Sequence, residues 1–428
     1  MLDHGADPSG QRDSTAAFAA AMERARRVLV PAGDYLCQRL DLRAGVVLEG
    51  VGERSVLRQA VDAPLLLHAD SGSPDPARNL EGIVLRGLQL RGRCDTQGFS
   101  EFVHLVSLNG VTDLLIEDVI FRGFRGDGLY LGSSATAGQE RHNRRMLVRR
   151  CTFDGLNQSN RNGLSIIDGE DLRVEDCVFI RTSRRDMPGA VDIEPDGHPW
   201  HVVRRIALRR NKFVDIGGGI GAMCLYVPVP LLTPVNDILF EENEIRGVQA
   251  SALSLMMGPG VAAGGGGLRA QGNRASGELG RPFVLRGLQD VSLIGNRFEG
   301  ARDAALLGWR TPETVVQSAL LRQNLFRGCG WRGGVGLSVF HARDLRFENN
   351  EFNDCGNGTS NAYAVDFNEG SSERVVFTGN RFLAPTGRTR WAIQREASHR
   401  FLVGENRFAS DNVLGPGLRS AFLASPGG

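Results

Sequence analysis

Lysine is almost absent from this chain. Of 50 Lys and Arg residues among 428, only Lys212 is a lysine, so a Schiff-base mechanism has one candidate position. An excess of one charge is absent too, because 50 Lys+Arg balance 49 Asp+Glu for a net charge of +1. A dedicated nucleic-acid binder carries a basic surplus, so no nucleic-acid partner is expected. No apolar run reaches the roughly 18 residues of a membrane helix, so no membrane span is expected. Residues 1–10 are polar and hold no apolar leader core. The expected setting is a secreted protein whose leader is absent or removed, or a virion component, ahead of a cytoplasmic protein. The seven cysteines are odd in number, dispersed and without a CxxC pair. That leaves no zinc or redox spacing, and a core this large does not need a disulfide framework. The 55 glycines are scattered without a Gly-X-Y period, which excludes collagen.

What is present is a repeat. The phrase apolar-x-apolar-x-x-Asn-x-Phe ends at Phe213, Ile245, Phe298, Phe326, Phe352, Phe382 and Phe408, with a degenerate copy around Asn273. Earlier copies end at Phe121, Phe153 and Phe179 and carry Val119, Cys151 and Cys177 where Asn stands later. Successive anchors lie 26 to 34 residues apart, with one gap of 53 around the degenerate copy. Within each copy apolar residues alternate, which reads as strand, and Gly, Asn and Asp punctuate the strands. Short strands at this period predict an all-β parallel β-helix solenoid, one coil per repeat.

Coils stacked about 4.8 Å apart place like residues beside like. An Asn column (Asn211, Asn243, Asn273, Asn296, Asn324, Asn350, Asn380, Asn406) is expected to bond along the stack. A Phe column is expected to fill the core, and Cys151/Cys177 and Cys329/Cys355 to stack. Residues 13–27 read as an N-capped amphipathic helix with Phe18, Ala21, Met22 and Ala25 as its apolar stripe. It is expected to cap the open solenoid end. The expected division is a cap over 1–50, the β-helix over 51–408 and a C-terminal tail or cap over 409–428. The glycine-rich 258–267 reads as a flexible insertion, since no Gly-Lys-Ser/Thr follows it.

The segment HGADPSGQRDSTAAFAAAMERA, then VLVPAGDYL, then VVLEGVG resembles the N-terminal segment of the pectate-lyase superfamily. Polygalacturonase-like enzymes and phage tailspike depolymerases share it. The resemblance implies a right-handed parallel β-helix with an N-terminal capping helix. It does not select among hydrolase, lyase, epimerase and non-catalytic spike. Two phrases, RNGLSII and GAVDIEPD, are similar to an RxGIS…GIDIEP pattern of β-helix proteins of bacteria and phages. That likeness points to Arg161, Asp192 and Glu194.

Aligning the strand that opens each coil puts Tyr130, Ser165, Asp192, Tyr226, Ser254, Ser338 and Asp366 in one outward column. The sharpest feature is AVDIEPDGHPWH. Asp192, Glu194 and Asp196 alternate onto one face until Pro195 ends the strand, about 6.5–7 Å apart per pair at Cα. Such spacing suits a glycosidase pair, at about 5–5.5 Å for retention or about 6.5–9.5 Å for inversion. Asp192, Glu194, Asp196 and His198 are therefore the expected catalytic groups. Asp127, Tyr130, Arg161, Asn162, Ser165, Asp168, His201, Tyr226, Trp309 and Arg310 are the expected substrate-binding groups. Plain readings stand beside these: the carboxylates can satisfy turn amides or pair with Arg184, Arg185 or Arg204. Asp127 between glycines can be a turn residue, and Trp309-Arg310 can be loop packing rather than a sugar platform. Asp366, Asn368 and Glu369 repeat the acidic pattern coils away.

Three functions follow. The first is hydrolysis of a polysaccharide by a carboxyl pair, without a cofactor. The second is a lyase or C5-epimerase acting on a uronic acid, with Asp192, Glu194 and Asp196 as calcium ligands and His198, Tyr130 or an arginine as base. No polygalacturonase set is present, and EPDGH is only distantly similar to an epimerase DPH motif. The third is a non-catalytic glycan-binding spike or adhesin, with a homotrimer as its expected assembly.

Overall fold

The computed structural model describes residues 1–261, 267–395, 407–408 and 411–419, and only the backbone of Asn368, Glu369, Arg395, Arg407 and Phe408. The chain divides into two compact units, Met1–Ile220 with Leu231–Thr233 and Gly221–Pro230 with Pro234–Gly428. Each is an all-β parallel solenoid.

In the first unit every coil contributes three strands, and each strand pairs in parallel with its counterpart one coil away. One face stacks β1 (His104–Asn109), β2 (Leu129–Gly132), β3 (Leu164–Ile166) and β4 (Gly189–Ile193). A second stacks Val111–Glu117, Arg144–Arg149, Gly169–Glu175 and Val203–Arg209. The third stacks Gln89–Arg91, Ile120–Arg122, Thr152–Asp154, Val178–Ile180 and Lys212–Ile216. The core between the faces is filled by the predicted phenylalanine column. Phe121, Phe153, Phe179 and Phe213 are fully buried and stack with ring centroids 4.4, 4.6 and 5.0 Å apart. Cys151 and Cys177 occupy the ladder position, where the Cys151 amide lies 3.4 Å from Cys177 Sγ. All seven cysteines are free and buried.

The helix α1 spans Thr15–Arg24. It buries Ala17, Phe18, Ala21 and Met22, whereas Ala25 lies past its end and is exposed. Ser14 stands at the N-cap without a side-chain cap bond. Its hydroxyl instead accepts the Asp7 amide at 2.9 Å, and Asp13 Oδ1 accepts the Thr15 amide at 2.8 Å. A strand precedes the helix, since Ser9–Asp13 pairs with Gly33–Cys37.

The second unit repeats the plan. Its first face holds β5 (Gly221–Val227), β6 (Ser251–Met257), β7 (Arg281–Arg286), β8 (Ala305–Leu307), β9 (Val335–Glu348) and β10 (Tyr363–Glu373). The asparagine ladder runs through Asn243, Asn273, Asn296, Asn324, Asn350 and Asn380. Each backbone amide along it donates to the next Asn Oδ1 at 2.9–3.0 Å. Asn406 lies outside the described residues. The ladder continues instead at Asn412, whose Oδ1 accepts the Asn380 amide at 2.8 Å. The reason is register: Phe408 pairs with Phe377, so the last copy of the phrase is shifted against the sequence alignment. Residues 262–266 of the glycine-rich insertion, and 409–410 and 420–428 of the tail, also lie outside the described residues.

Asn324 illustrates what the ladder contributes. Its Nδ2 donates to the Leu293 carbonyl at 2.8 Å, and its Oδ1 accepts the Asn296 amide at 3.0 Å. Asn324→Ala strands both groups, and each buried unsatisfied group costs about 1–3 kcal/mol. The expected outcome is a lower urea midpoint for Asn324→Ala and an unchanged one for the exposed control Glu313→Ala. Equal midpoints would remove the ladder from the stability argument.

Candidate active site

The outward column of the first unit is polar from end to end. Parallel register places Asp41 beside His68, His68 beside Ser107, Ser107 beside Tyr130, Tyr130 beside Ser165, and Ser165 beside Asp192. The inward neighbours Leu129, Leu131, Leu164, Ile166, Val191 and Ile193 are fully buried, so the alternation expected from the sequence holds here.

Asp192 is at the end of this column and is only 1% exposed. Burial, with the neighbouring Glu194 carboxyl next, pushes its pKa well above the usual carboxylate range. A like charge beside a carboxyl disfavours its ionisation, which adds to the effect of burial on Asp192. Glu194 is half-buried and follows the end of β4, its amide donating to the Ile166 carbonyl at 3.0 Å. Asp196 lies past the strand end and is exposed.

Beside this pair stands a second network. Arg161 Nη1 donates to Asp127 Oδ2 and to Ser165 Oγ, both at 3.0 Å, and its Nη2 lies 4.0 Å from Asp192 Oδ2. Burial works against the Arg161 charge, but the Asp127 and Asp192 carboxyls outweigh it and raise its pKa. Asp127 is fully buried and also accepts the Asn162 amide at 3.0 Å, so it anchors the loop that carries Arg161. The Asn162 side chain donates to the Gly189 carbonyl at 2.8 Å and accepts from Ser165 Oγ at 2.9 Å, tying β3 to β4. Tyr130 lies flat against His104 at 4.7 Å. Burial, with Asp196 and Asp127 nearby, pushes the Tyr130 phenol up to about 12. Burial lowers the His104 pKa, and its Nδ1 accepts the Asp127 amide at 3.0 Å, as a neutral ring does.

The structure therefore brings together Asp127, Tyr130, Arg161, Asn162, Ser165, Asp192 and Glu194. The histidines sit in the following loop. His198 stacks on Trp200 at 4.7 Å, and His201 is fully buried edge-on to both rings, with its pKa lowered by burial. Asp168 is fully buried and spent inside the protein. It binds His142 Nδ1 at 2.9 Å and accepts the Asn143 and Val202 amides at 3.1 and 2.8 Å, bracing two loops. Sequence reasoning missed His104 and also Glu101, 3.8 Å from Arg161, because neither falls on a repeat position.

Tyr226, Trp309 and Arg310 belong to the second unit. Tyr226 pairs with Met256, and Cys224 rather than Tyr226 pairs with Ser254, so the sequence alignment there is two residues off. Ser338 does pair with Asp366, whereas the side chains of Asn368 and Glu369 are not described. One face of the Trp309 ring holds the Arg286 guanidinium at 4.3 Å. Among the described residues no three His, Cys, Asp or Glu side chains converge as a metal-ligand set, Asp192, Glu194 and Asp196 included. No helix among them is long and apolar enough to cross a membrane.

No family model matches the chain, and no curated protein matches its sequence. Solved structures do. The A-module of mannuronan C-5 epimerase AlgE4 from Azotobacter vinelandii is 16% identical with a TM-score of 0.57, covering 93% of this chain and 98% of its own. The catalytic unit of a GH87 alpha-1,3-glucanase from Streptomyces thermodiastaticus is 15% identical with a TM-score of 0.52, covering 98% and 68%. The tailspike of E. coli bacteriophage HK620, solved with a pentasaccharide, is 13% identical with a TM-score of 0.55, covering 97% and 78%. At these identities the likeness shows the fold alone, a right-handed parallel β-helix.

Proposed function

We propose that this chain is a carbohydrate-active enzyme that hydrolyses a glycosidic bond of a polysaccharide over β2, β3 and β4. The observation that carries the reading is the buried Asp192 carboxyl, 4.0 Å from Arg161 Nη2 and two residues before the more accessible Glu194. In this reading Asp192 holds a proton that Glu194 delivers to the leaving oxygen. Glu194 is the group that meets the substrate, and Asp192 is the reserve behind it. The exposed Asp196 carboxylate activates the attacking water. Tyr130 and Arg161 donate hydrogen bonds to sugar hydroxyls, and the His198–Trp200 stack borders the sugar. The solved neighbours support the substrate class, since a glucanase and a pentasaccharide-bound tailspike share the fold. The same reading takes α1 as the cover of the first coils and puts the chain on a virion or outside the cell, as a trimer.

A second reading, elimination or C5-epimerisation of a uronic acid, is favoured by the overlap with the epimerase A-module over nearly its whole length. A calcium ion held by Asp192, Glu194 and Asp196 does not fit the arrangement, because Asp192 is buried and the three carboxyls do not converge among the described residues. No step is assigned to it.

A panel of neutral and uronate polysaccharides, followed by reducing ends and by ultraviolet absorbance of unsaturated products, tests the reading. Glu194→Gln is expected to lower the rate by roughly 100- to 10,000-fold, the usual worth of an acid–base group. Reducing ends without absorbance support hydrolysis, and absorbance supports elimination. Undiminished cleavage by Glu194→Gln would overturn the assignment.

Asp192 also makes a stability prediction. Its pKa is raised on folding, so its stabilising contribution is fully present below the ordinary carboxylate value. The contribution is lost as pH rises through the folded value. Asp192→Asn keeps the neutral form at every pH. Its unfolding midpoint is expected to match wild type in acid and to exceed it above the folded pKa. Parallel pH profiles for the two proteins would contradict a protonated Asp192.

A further inference from the structure

The second unit contains two half-buried arginines without a carboxylate. Arg281 opens β7 and Arg286 closes it. Arg281 Nη1 donates to the Ala304 carbonyl at 2.8 Å, and no carboxylate of the described residues lies within ion-pair distance of either arginine. Arg286 Nε is buried and has no hydrogen-bond partner. Burial lowers the pKa of both, and the Arg281 charge adds to the strain on Arg286. The nearest acid, Asp303, is engaged by Arg302 at 3.1 Å. Several other part-buried arginines meet carboxylates, Arg58 with Asp34, Arg141 with Asp70, Arg161 with Asp127 and Arg204 with Glu170, whereas Arg125 is held by the Gly98 and Gln97 carbonyls. Buried charge is normally paired, so two unpaired guanidiniums on one strand mark a place where an anion is supplied from outside.

The surroundings indicate what carries that anion. Val284, Ala304, Leu306 and Phe340 form an apolar cluster on the outer face, with Val335 against it. Val284 pairs with Leu306 and Leu306 with Ser338, so the cluster occupies the outward column of this unit. Trp309 packs on Phe340 at 5.6 Å and holds the Arg286 guanidinium on its ring at 4.3 Å. Trp309 is 36% exposed. The cluster residues are themselves buried, so the accessible part is the Trp309 indole beside two fork-shaped cation donors, which fits a sugar ring bearing an acidic group. A free inorganic ion would have no use for the indole.

We propose that Arg281, Arg286 and Trp309 form a subsite for an acidic sugar, with the carboxylate or sulfate ester of the sugar on the Arg286 guanidinium. This deepens the carbohydrate-active reading by naming an acidic glycan as ligand. It rests on that reading only for the polysaccharide class.

Calorimetry on the Glu194→Gln chain tests the subsite by binding alone. The probes are oligosaccharides of galacturonate, mannuronate and glucuronate, sulfated oligosaccharides, carboxyl-reduced counterparts, and inorganic sulfate. At least one acidic oligosaccharide is expected to bind tenfold or more tighter than its reduced counterpart and to raise the unfolding temperature. Arg286→Gln is expected to abolish that difference. Arg286→Lys, which keeps the charge and loses the fork, is expected to retain part of it. The proposal is overturned if no acidic probe binds better than its neutral counterpart, if Arg286→Gln keeps the preference, or if inorganic sulfate binds as tightly as the oligosaccharides. A failed cleavage assay with intact acidic binding would count against the Glu194 chemistry and leave the subsite standing.

Discussion

Parallel pairing at one strand spacing is the constraint from which the rest of this structure follows. It obliges each position of a coil to lie beside the same position of the next coil, about 4.8 Å away. A side chain survives there only if it can live next to its own kind or next to a partner. Asparagine does so by donating with one end of its amide and accepting with the other. Phenylalanine does so by stacking, and a buried thiol does so by packing and weak bonding. The rule also accounts for the choice of arginine over lysine. At two bends of the first unit the backbone is left-handed at non-glycine residues: Asp113, Arg145, Asp171 and Arg205 at one, Asp118, Arg150, Asp176 and Arg210 at the other. Such a conformation is costly for an L-residue. At each bend acid and arginine alternate, and Arg145, Arg150, Arg205 and Arg210 each grip the aspartate of the preceding coil with two guanidinium nitrogens. A lysine ammonium cannot make that planar two-point contact.

The candidate site is where this rule is turned to another use. In the column Ser107, Tyr130, Ser165 and Asp192 no residue stands beside its own kind. Ser165 is satisfied sideways, by the loop carrying Arg161 and Asn162, rather than along the stack. A column freed from self-pairing can hold a carboxyl with Glu194 and Asp127 as acidic neighbours. Burial favours the protonated form of Asp192. The loops also explain why Asp168 differs from Asp192. Asp168 meets two backbone amides and a histidine and is used up as a brace, whereas Asp192 faces an acid and an arginine already engaged by Asp127.

The coil period, the Phe and Cys ladders and the inward–outward alternation were legible in the sequence because stacking writes them as repetition. The grouping of Arg161, Ser165, Asp192 and Glu194 was legible for the same reason, since register converts sequence alignment into contact. What repetition does not encode stayed hidden. Burial of Asp192 depends on loops of irregular length. His104 reaches Tyr130 from a position that holds Leu65 in the preceding coil, so repetition does not announce it. Tyr226 was misaligned by two residues because CLYV and ALSL alternate equally well in either register, and alternation alone cannot distinguish a shift of two. Asn412 was missed because Asn406 completes a better copy of the phrase than the residue that takes the ladder position.

Near-neutral net charge follows from the same architecture and sharpens its exceptions. If most arginines exist to clasp an acid one coil away, the totals of cations and acids must nearly match, as they do at 50 and 49. A balanced total therefore says little about ligands, because it reports the ladders. The informative arginines are those that the ladder does not use and burial does not leave to water. Arg161 is one, engaged by Asp127 beside the carboxyl pair. Arg281 and Arg286 are others, and there no acid of the described residues makes an ion pair. In a fold whose charges are otherwise settled between neighbouring coils, an unanswered cation next to a tryptophan is a property of the surface on which a ligand would lie, rather than of the scaffold beneath it.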